Sequence, residues 1–414
     1  MSLYDKASLV MIPSGYKASS ATLYSVVPNT SVGDFDVTVD ADATRLNKDG
    51  LIESVSANQA RLDYPLTDGV VGDCPHLLLE PSRTNLLSYS EDFSQSTQWL
   101  ISSMTVTTDD AVAPNGSQTA DKIQATGAGS IRTNNSYTVT SGYSFSIFVK
   151  KGNSRYVTLR SFAFTTSAII GFDLDTETAQ TGGVIEKYPN DWYRLSISKD
   201  VSSDADKNGF FYIYLPNSLG SASTVSGNYA YFFGAQLEDA DYPTSYIPVL
   251  GLSSVTRSAD VCNSAGDSST FNDSEGVLFL EFQGLTTTDA ENGYVSISDG
   301  TATNSVLINT RTSGSLRLYN GGVGSTNLIY IETVDYSNTL KIALQYGTTT
   351  GSYKVYINGT SKTISGTFSA TAISGLDELK FQYALGGNNF YGKVKQIMVF
   401  NEALTDSELE QLTS

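Results

Sequence analysis

Histidine is nearly missing from this 414-residue chain, which carries it only at His76, and cysteine occurs only as Cys74 and Cys262. These scarcities exclude a good deal of chemistry. Structural zinc needs clustered cysteine and histidine, and no Cys-x-x-Cys pair is present, so no metal site is expected. A Ser/His/Asp arrangement would have to use His76, which sits beside Pro75. Two distant cysteines make no disulfide framework and read as free, buried thiols. No Gly-x-x-x-x-Gly-Lys-Ser/Thr loop cradles a phosphate, and no cofactor is implied. The loop from Asp289 to Asp299 lacks the spaced Asp-x-Asp-x-Asp-Gly set of a calcium loop.

Charge is also sparse, at 16% of residues, and lopsided: 43 Asp and Glu against 25 Lys and Arg, a net charge of −18. Nucleic acid requires a basic face that displaces counterions, so that partner class is excluded. No apolar stretch approaches the roughly 20 residues that span a bilayer, so no membrane insertion is expected. The N-terminus lacks a basic stretch followed by an apolar run and a cleavage site. The product is therefore expected to be made in the cytosol and to reach an exterior by another route. Strong helix formers rarely cluster, and no short repeat marks a solenoid or a triple β-helix shaft.

What is abundant is Gly, Ser, Thr and Asn, with 25 Tyr and 18 Phe, a composition that suits pleated sheets. Residues 1–85 read as an extended arm. Leu9–Ile12 is a short apolar run ended by Pro13, Leu23–Val27 repeats it, and Phe35, Val37 and Val39 alternate with polar residues. Such an arm has too little apolar surface for a core of its own. It should pack on a neighbour: the same chain's sandwich, an identical subunit or a docking surface.

Residues 86–250 alternate cleanly. Tyr143, Phe145, Ile147 and Val149 share one face, and Phe210–Leu215 and Tyr229–Leu237 are further strands between Gly/Ser/Asn loops. This pattern predicts an antiparallel sandwich or jelly roll. Residues 251–274 form a Ser/Asp/Gly-rich linker. In 275–414, Val277–Phe282 reads as a buried strand and Asn358-Gly359 as a hairpin turn into Lys362–Ile364. Thr405 and Glu408 form a capping box for a short C-terminal helix, stapled by Leu404 and Leu409. The fold class is all-β: an extended N-terminal arm, two antiparallel β-sandwich domains and a short C-terminal helix.

Two sets of signatures bracket the middle of the chain. One holds Arg45–Glu53, Asn58–Tyr64 and Leu77-Leu-Leu-Glu-Pro-Ser-Arg-Thr-Asn-Leu86, with Tyr89–Phe93. The other holds Gly234–Glu238, Pro243-Thr-Ser-Tyr-Ile-Pro248 and Thr256–Asp260. Together they resemble the fibre, spike and appendage proteins of tailed bacteriophages, where such segments flank a carbohydrate-binding-module-like sandwich. Phe145–Gly152 and Asp191–Arg194 are similar to strands of those modules. The Val-Tyr-Ile-Asn-Gly hairpin, a late strand and the terminal helix resemble the concanavalin A-like, or laminin-G-like, sandwich.

The resemblance implies a structural virion protein, a fibre or spike subunit on head or tail, assembled in the host cytoplasm. It implies a homotrimer, attachment to other virion proteins through the arm, and host-surface glycans as partners. A capsule-degrading glycoside hydrolase is the enzymatic alternative, but no Glu-x-Asp-x-x-Glu strand occurs between 275 and 400, and Glu281 stands alone. A soluble bacterial lectin is a third reading. No catalytic residue is assigned. Sugar-binding modules stack exposed aromatic rings on pyranose faces beside amide side chains. The candidates are Trp99, Trp192 and Tyr193 in the first sandwich and Tyr383, Asn388, Asn389 and Tyr391 in the second. Trp192 and Tyr193 equally fit the start of a core strand, and Asn388-Asn389 a plain turn.

Overall fold

The computed structural model describes residues 2–13, 18–19, 21–41, 43–287, 292–324, 327–349, 352–364 and 372–414. Strand makes up 47% and helix 4%, so the all-β expectation holds. The C-terminal helix Asp406–Thr413 begins as expected: Thr405 Oγ1 accepts from Glu408 N at 3.3 Å, and Glu408 Oε2 accepts from Thr405 N at 2.9 Å. Leu404 and Leu409 are buried together in one cluster. Asn358-Gly359 makes a two-residue turn between Lys354–Ile357 and Thr360–Lys362, so the returning strand starts two residues earlier than expected. No helix among the described residues is long and apolar enough to cross a membrane.

The C-terminal sandwich is built from both ends of the chain. One sheet runs Thr360–Lys362, Lys354–Ile357, Leu340–Gly347, Glu275–Gln283 and Gly392–Phe400. Val277–Phe282 is buried on both sides, because Leu278 and Leu280 face the inter-sheet core while Val277 and Phe279 meet the C-terminal helix. A strand sandwiched in this way loses its alternation and reads as a continuous apolar run. On the far edge of Gly392–Phe400 the arm takes over. Leu9–Met11 pairs with it through Leu9↔Val399, and His76–Leu79 pairs further along through Leu77↔Val394.

The second sheet runs Leu328–Thr333, Ser315–Asn320, Ser305–Thr310, Gly293–Ser298 and Glu378–Lys380. Ala265 and Leu379 exchange backbone hydrogen bonds of 2.7 and 3.1 Å, linking this sheet to Val261–Asn263, which pairs in turn with Phe35–Thr38. Leu9, Met11, Leu23, Phe35, Val37, Leu77 and Leu79 thus share one core with Leu278, Ile342, Val394 and Ile397. Of the surfaces open to the arm, it is the chain's own second sandwich that covers its apolar runs. The segment read as a linker holds the strands Val255–Arg257 and Val261–Asn263 and buries Cys262 and Phe271. Cys262 is buried as expected, but Cys74 is exposed.

The middle sandwich is inserted into the other. Its strands run Ile169–Asp173, Tyr156–Phe162, Asn208–Tyr214, Ala120–Thr133, Tyr229–Glu238, Gly142–Lys151, Trp192–Asp200 and Gly183–Tyr188. Ala120–Thr133 serves both layers. Its start pairs with Tyr229–Glu238 and its end with Asn208–Tyr214, which folds the sheet over on itself. Tyr143, Phe145, Ile147 and Val149 all enter the core, as their alternation predicts. The chain leaves the outer sandwich and returns to it through paired strands, Arg83–Asn85 against Val255–Arg257.

At that crossing the signature segments converge. Arg61 Nη1 donates to Glu80 Oε2 at 2.6 Å, to Ser245 Oγ at 2.8 Å and to Thr44 O at 3.1 Å, while its Nη2 donates to Asp260. Arg257 Nη1 donates to the same Glu80 oxygen at 2.7 Å, and its Nη2 donates to Pro81 O at 2.7 Å. Both guanidiniums are fully buried. Burial alone would raise the Glu80 carboxyl, but Arg257, Arg61 and the Ser245 hydroxyl and amide outweigh it. They hold Glu80 well below the usual carboxylate range. Nearby, Asn85 Nδ2 donates to Ala235 O and Ile247 O, and Glu238 accepts from Gln236, Thr244 N and Thr244 Oγ1. The signatures are thus the internal hydrogen bonding of a joint.

Two measurements check this architecture. Phe35→Ala should cost about 3–5 kcal/mol in the unfolding transition of the outer sandwich; an unchanged denaturation midpoint would mean that the arm only leans on it. Glu80→Gln should cost about 3–5 kcal/mol near neutral pH, because it leaves two buried cations short of an anion. The native Glu80 titrates below its unfolded value of about 4.3, so its contribution is complete above that pH and falls away on acidification. The gap between the two proteins should therefore narrow below about pH 4.

Candidate functional site

The tryptophans named from sequence lie inside the protein. Trp99 is 1% exposed, donates through Nε1 to Tyr89 O at 3.2 Å and packs on Phe93 at 4.9 Å. Trp192, also 1% exposed, donates to Val112 O at 3.1 Å and is packed with Phe148, Phe233 and Tyr246. Tyr193 is buried and donates to Glu177 Oε1 at 3.0 Å; burial, with Glu177 beside it, pushes its phenol up to about 12. The expectation of stacking platforms is corrected at all three. Trp99 and Trp192 are covered on both sides, while Tyr193, 6% exposed, lines a small hollow with Leu66 and Glu186.

Tyr383, Asn388, Asn389 and Tyr391 do come together in one loop. Asn388 is exposed in the left-handed conformation (φ 45°) that asparagine tolerates in turns. Asn389 accepts from Gln382 Nε2 at 2.8 Å and donates to the Tyr391 hydroxyl at 3.3 Å, while Tyr383 packs on Tyr294 at 4.9 Å. Its amide therefore orders the loop, and Tyr391 is buried. His76 lies on a strand with Nε2 3.0 Å from Asp63 Oδ2. Among the described residues no cluster of His, Cys, Asp and Glu would hold a metal ion, and the acidic loop's Asp289 lies outside them.

A cleft of about 450 Å³ opens where the two sandwiches meet. One wall is the Arg45–Leu66 wrap, and another is the outer face of Gly183–Tyr188 and Trp192–Asp200. The turn Asp241–Tyr246 closes it, with Leu285 and Lys393 contributed by the outer sandwich. The volume falls in the range of about 300–1,000 Å³ typical of small-molecule sites. A smaller hollow of about 230 Å³ shares Leu66 and Glu186 with it.

The lining is mixed. Arg45 pairs with Glu53 at 2.7 Å. Arg194 donates to Ser146 Oγ at 3.0 Å and Thr244 O at 2.8 Å, with Phe148 5.6 Å from its guanidinium. Tyr188 stands edge-on to Phe148 at 5.1 Å, and burial pushes its phenol above the ordinary value. Glu186 and Asp241 are exposed, while Tyr64, Asp63 and Lys393 are half-buried. Burial would raise the Asp63 carboxyl, but His76, Lys393 and the Leu46 amide together hold it below its ordinary value. At His76 burial outweighs the pull of Asp63 and lowers the imidazole.

Such a lining offers donors, acceptors and tyrosine rings to a hydroxylated ligand. Of the cleft carboxyls, Asp63 and Glu80 are displaced downward, Asp63 by His76, Lys393 and the Leu46 amide and Glu80 by Arg257 and Arg61. The lining comes from seven separate places in the chain, from residue 44 to residue 393. In sequence its only signal was the signature segments, which supply Arg45, Asp63, Tyr64 and the Pro243–Tyr246 turn.

A scan of family models finds no match to this chain, and no curated protein matches it. Among solved structures, the chain is similar to the CBM40 module of the Ruminococcus gnavus IT-sialidase, bound to α2,3-sialyllactose. That match has 16% identity and a TM-score of 0.28, over 34% of this chain and 83% of the module. It is also similar to domain 4 of the GH43 arabinanase AbnA of Geobacillus stearothermophilus, in complex with arabinotriose, at 14% identity and a TM-score of 0.29, over 38% and 73%. A third is the SAP-like pentraxin of Limulus polyphemus, at 15% identity and a TM-score of 0.26, over 34% and 70%.

Proposed function

We propose that the inter-sandwich cleft binds a short saccharide and that the chain is a non-catalytic glycan-binding protein. The observation that carries this reading is the cleft itself. It has ligand-sized volume, with Tyr64 and Tyr188 beside Glu186, Asp241, Arg194 and Lys393, which suits hydrogen bonding to hydroxyls around an apolar ring face. The biological setting rests on the signature segments, which resemble those of tailed-phage appendages: a fibre or spike subunit, on head or tail, that engages host-surface glycans. That resemblance also supports a homotrimer and docking to other virion proteins. Weak single-site affinity becomes useful when copies on one particle engage the same surface, since the second contact is effectively intramolecular.

Calorimetry of the full chain against host-surface polysaccharide fragments should detect weak binding, reduced by roughly tenfold in a Glu186→Ala/Asp241→Ala double variant, as expected for two lost charged hydrogen bonds. Binding unchanged in that variant would remove the cleft from the reading. Gold-labelled antibody against the chain should decorate appendages of intact particles, and bare particles would discard the virion setting.

A hydrolytic reading is favoured by one observation, the presence of Asp63, Glu186 and Asp241 in one cleft. The downward displacement of Asp63 weighs against it, and incubation with host polysaccharide should leave its size unchanged. Oligosaccharides released by the chain and lost in Glu186→Gln would establish the depolymerase instead.

A further inference from the structure

The middle sandwich has two outer faces, and the chain treats them differently. One carries Phe148 and Trp192 and lies under Leu46, Ile52 and Tyr246. The other belongs to Ile169–Asp173, Tyr156–Phe162, Asn208–Tyr214 and the end of Ala120–Thr133. On those strands Leu159, Phe211, Ile213 and Ile131 point into the core, so the alternate residues face outward.

Pairing aligns the outward residues into rows. Arg160 stands opposite Tyr212, and Tyr212 opposite Arg132; the next row pairs Phe162 with Phe210. Arg160 lies 4.6 Å from the Phe162 ring and 5.9 Å from that of Tyr212. Arg132 lies 4.8 Å from Phe210 and 5.8 Å from Tyr212. Tyr212 stacks on Tyr214 with planes 4° apart. Phe162 is 42% exposed, and both arginines are half-exposed. At one end a loop crosses the sheet, since a Cβ on Gly171 would meet Gly220 N at 2.1 Å.

Two features of this face point to a ligand. Neither Arg132 nor Arg160 is ion-paired to a carboxylate among the described residues, in a chain with 43 acidic and 25 basic residues. Arg132 Nη1 donates to Thr133 O at 2.6 Å and Asn134 O at 3.4 Å, and Arg160 hydrogen-bonds Tyr214, so both charges are held in place but not neutralised. Arg155, at the edge of the same sheet, is by contrast paired with Asp173 at 2.6 Å. Two strand spacings place the arginines about 10 Å apart, flanking an aromatic ring. Guanidiniums recognise carboxylates with directional donors, and rings accept the apolar face of a sugar.

We propose that this face binds a carboxylated polysaccharide, a uronic-acid type chain, with carboxylates on Arg132 and Arg160 and the sugar between them, against the exposed edges of Tyr212 and Phe162. The site is on the opposite side of the sandwich from the cleft and shares no residue with it.

The test is calorimetry of the full chain with oligogalacturonate, with its fully methyl-esterified form and with single-stranded oligothymidylate. Oligogalacturonate should bind, and esterification should weaken it by roughly tenfold, the worth of a charge-assisted hydrogen bond. Arg132→Gln, Arg160→Gln and Phe162→Ala should each weaken it with unchanged thermal unfolding, while Glu186→Ala/Asp241→Ala should not. Absent binding, equal binding of acid and ester, or full binding by both arginine variants would overturn the proposal. Tighter binding of the oligothymidylate would overturn it too, assigning the face to nucleic acid. The acid–ester comparison needs no variant, so it decides even where a substitution perturbs folding.

Discussion

Everything in this molecule hangs on four charges removed from water where the chain crosses between its sandwiches. Arg61 and Arg257 share one oxygen of Glu80, and Asp260 accepts from Arg61 and from the Glu80 amide. Each ion buried alone would cost several kcal/mol, so the group persists only as a net-neutral set. Its value is directional. An apolar plug would hold two lobes together at many angles, whereas forked guanidinium donors accept carboxylates and carbonyls only in fixed directions. Because the cleft takes walls from the wrap, the inserted sandwich and Lys393, its shape is set by this joint.

Much of the fold was legible where a pattern is local. Tyr143 to Val149 alternate because one face is core, Asn358-Gly359 turns because both residues tolerate positive φ, and Thr405 with Glu408 caps a helix within four residues. The arm was legible only in part. Three residues such as Leu9–Met11 announce a need for burial but not the partner, and here the partner is Gly392–Phe400, at the other end of the chain.

The site was less legible still. A tryptophan at the start of a strand satisfies the pattern of a core residue and that of a sugar platform alike. Which one Trp192 becomes depends on Leu46, Ile52 and Tyr246, whose arrival over it is a tertiary event. Likewise Arg45, Asp63, Glu186 and Lys393 are ordinary polar residues until the joint brings their segments together. The signature segments attract notice in sequence as a group, and their chemistry is mostly that of holding one another's backbones in place.

Interleaving also sets an order of events during synthesis. The inserted sandwich has all its strands once Glu238 is made, but Leu9–Met11 must wait for a strand that ends at Phe400. In the interval, Leu9–Met11 waits beside a finished neighbour with unpaired edges, the state in which chains associate wrongly. Pairings this distant are slow to form because loop closure precedes any gain. A late strand thus gives an early one its place, and a chain stopped short of Gly392 keeps one well-formed sandwich and an open one.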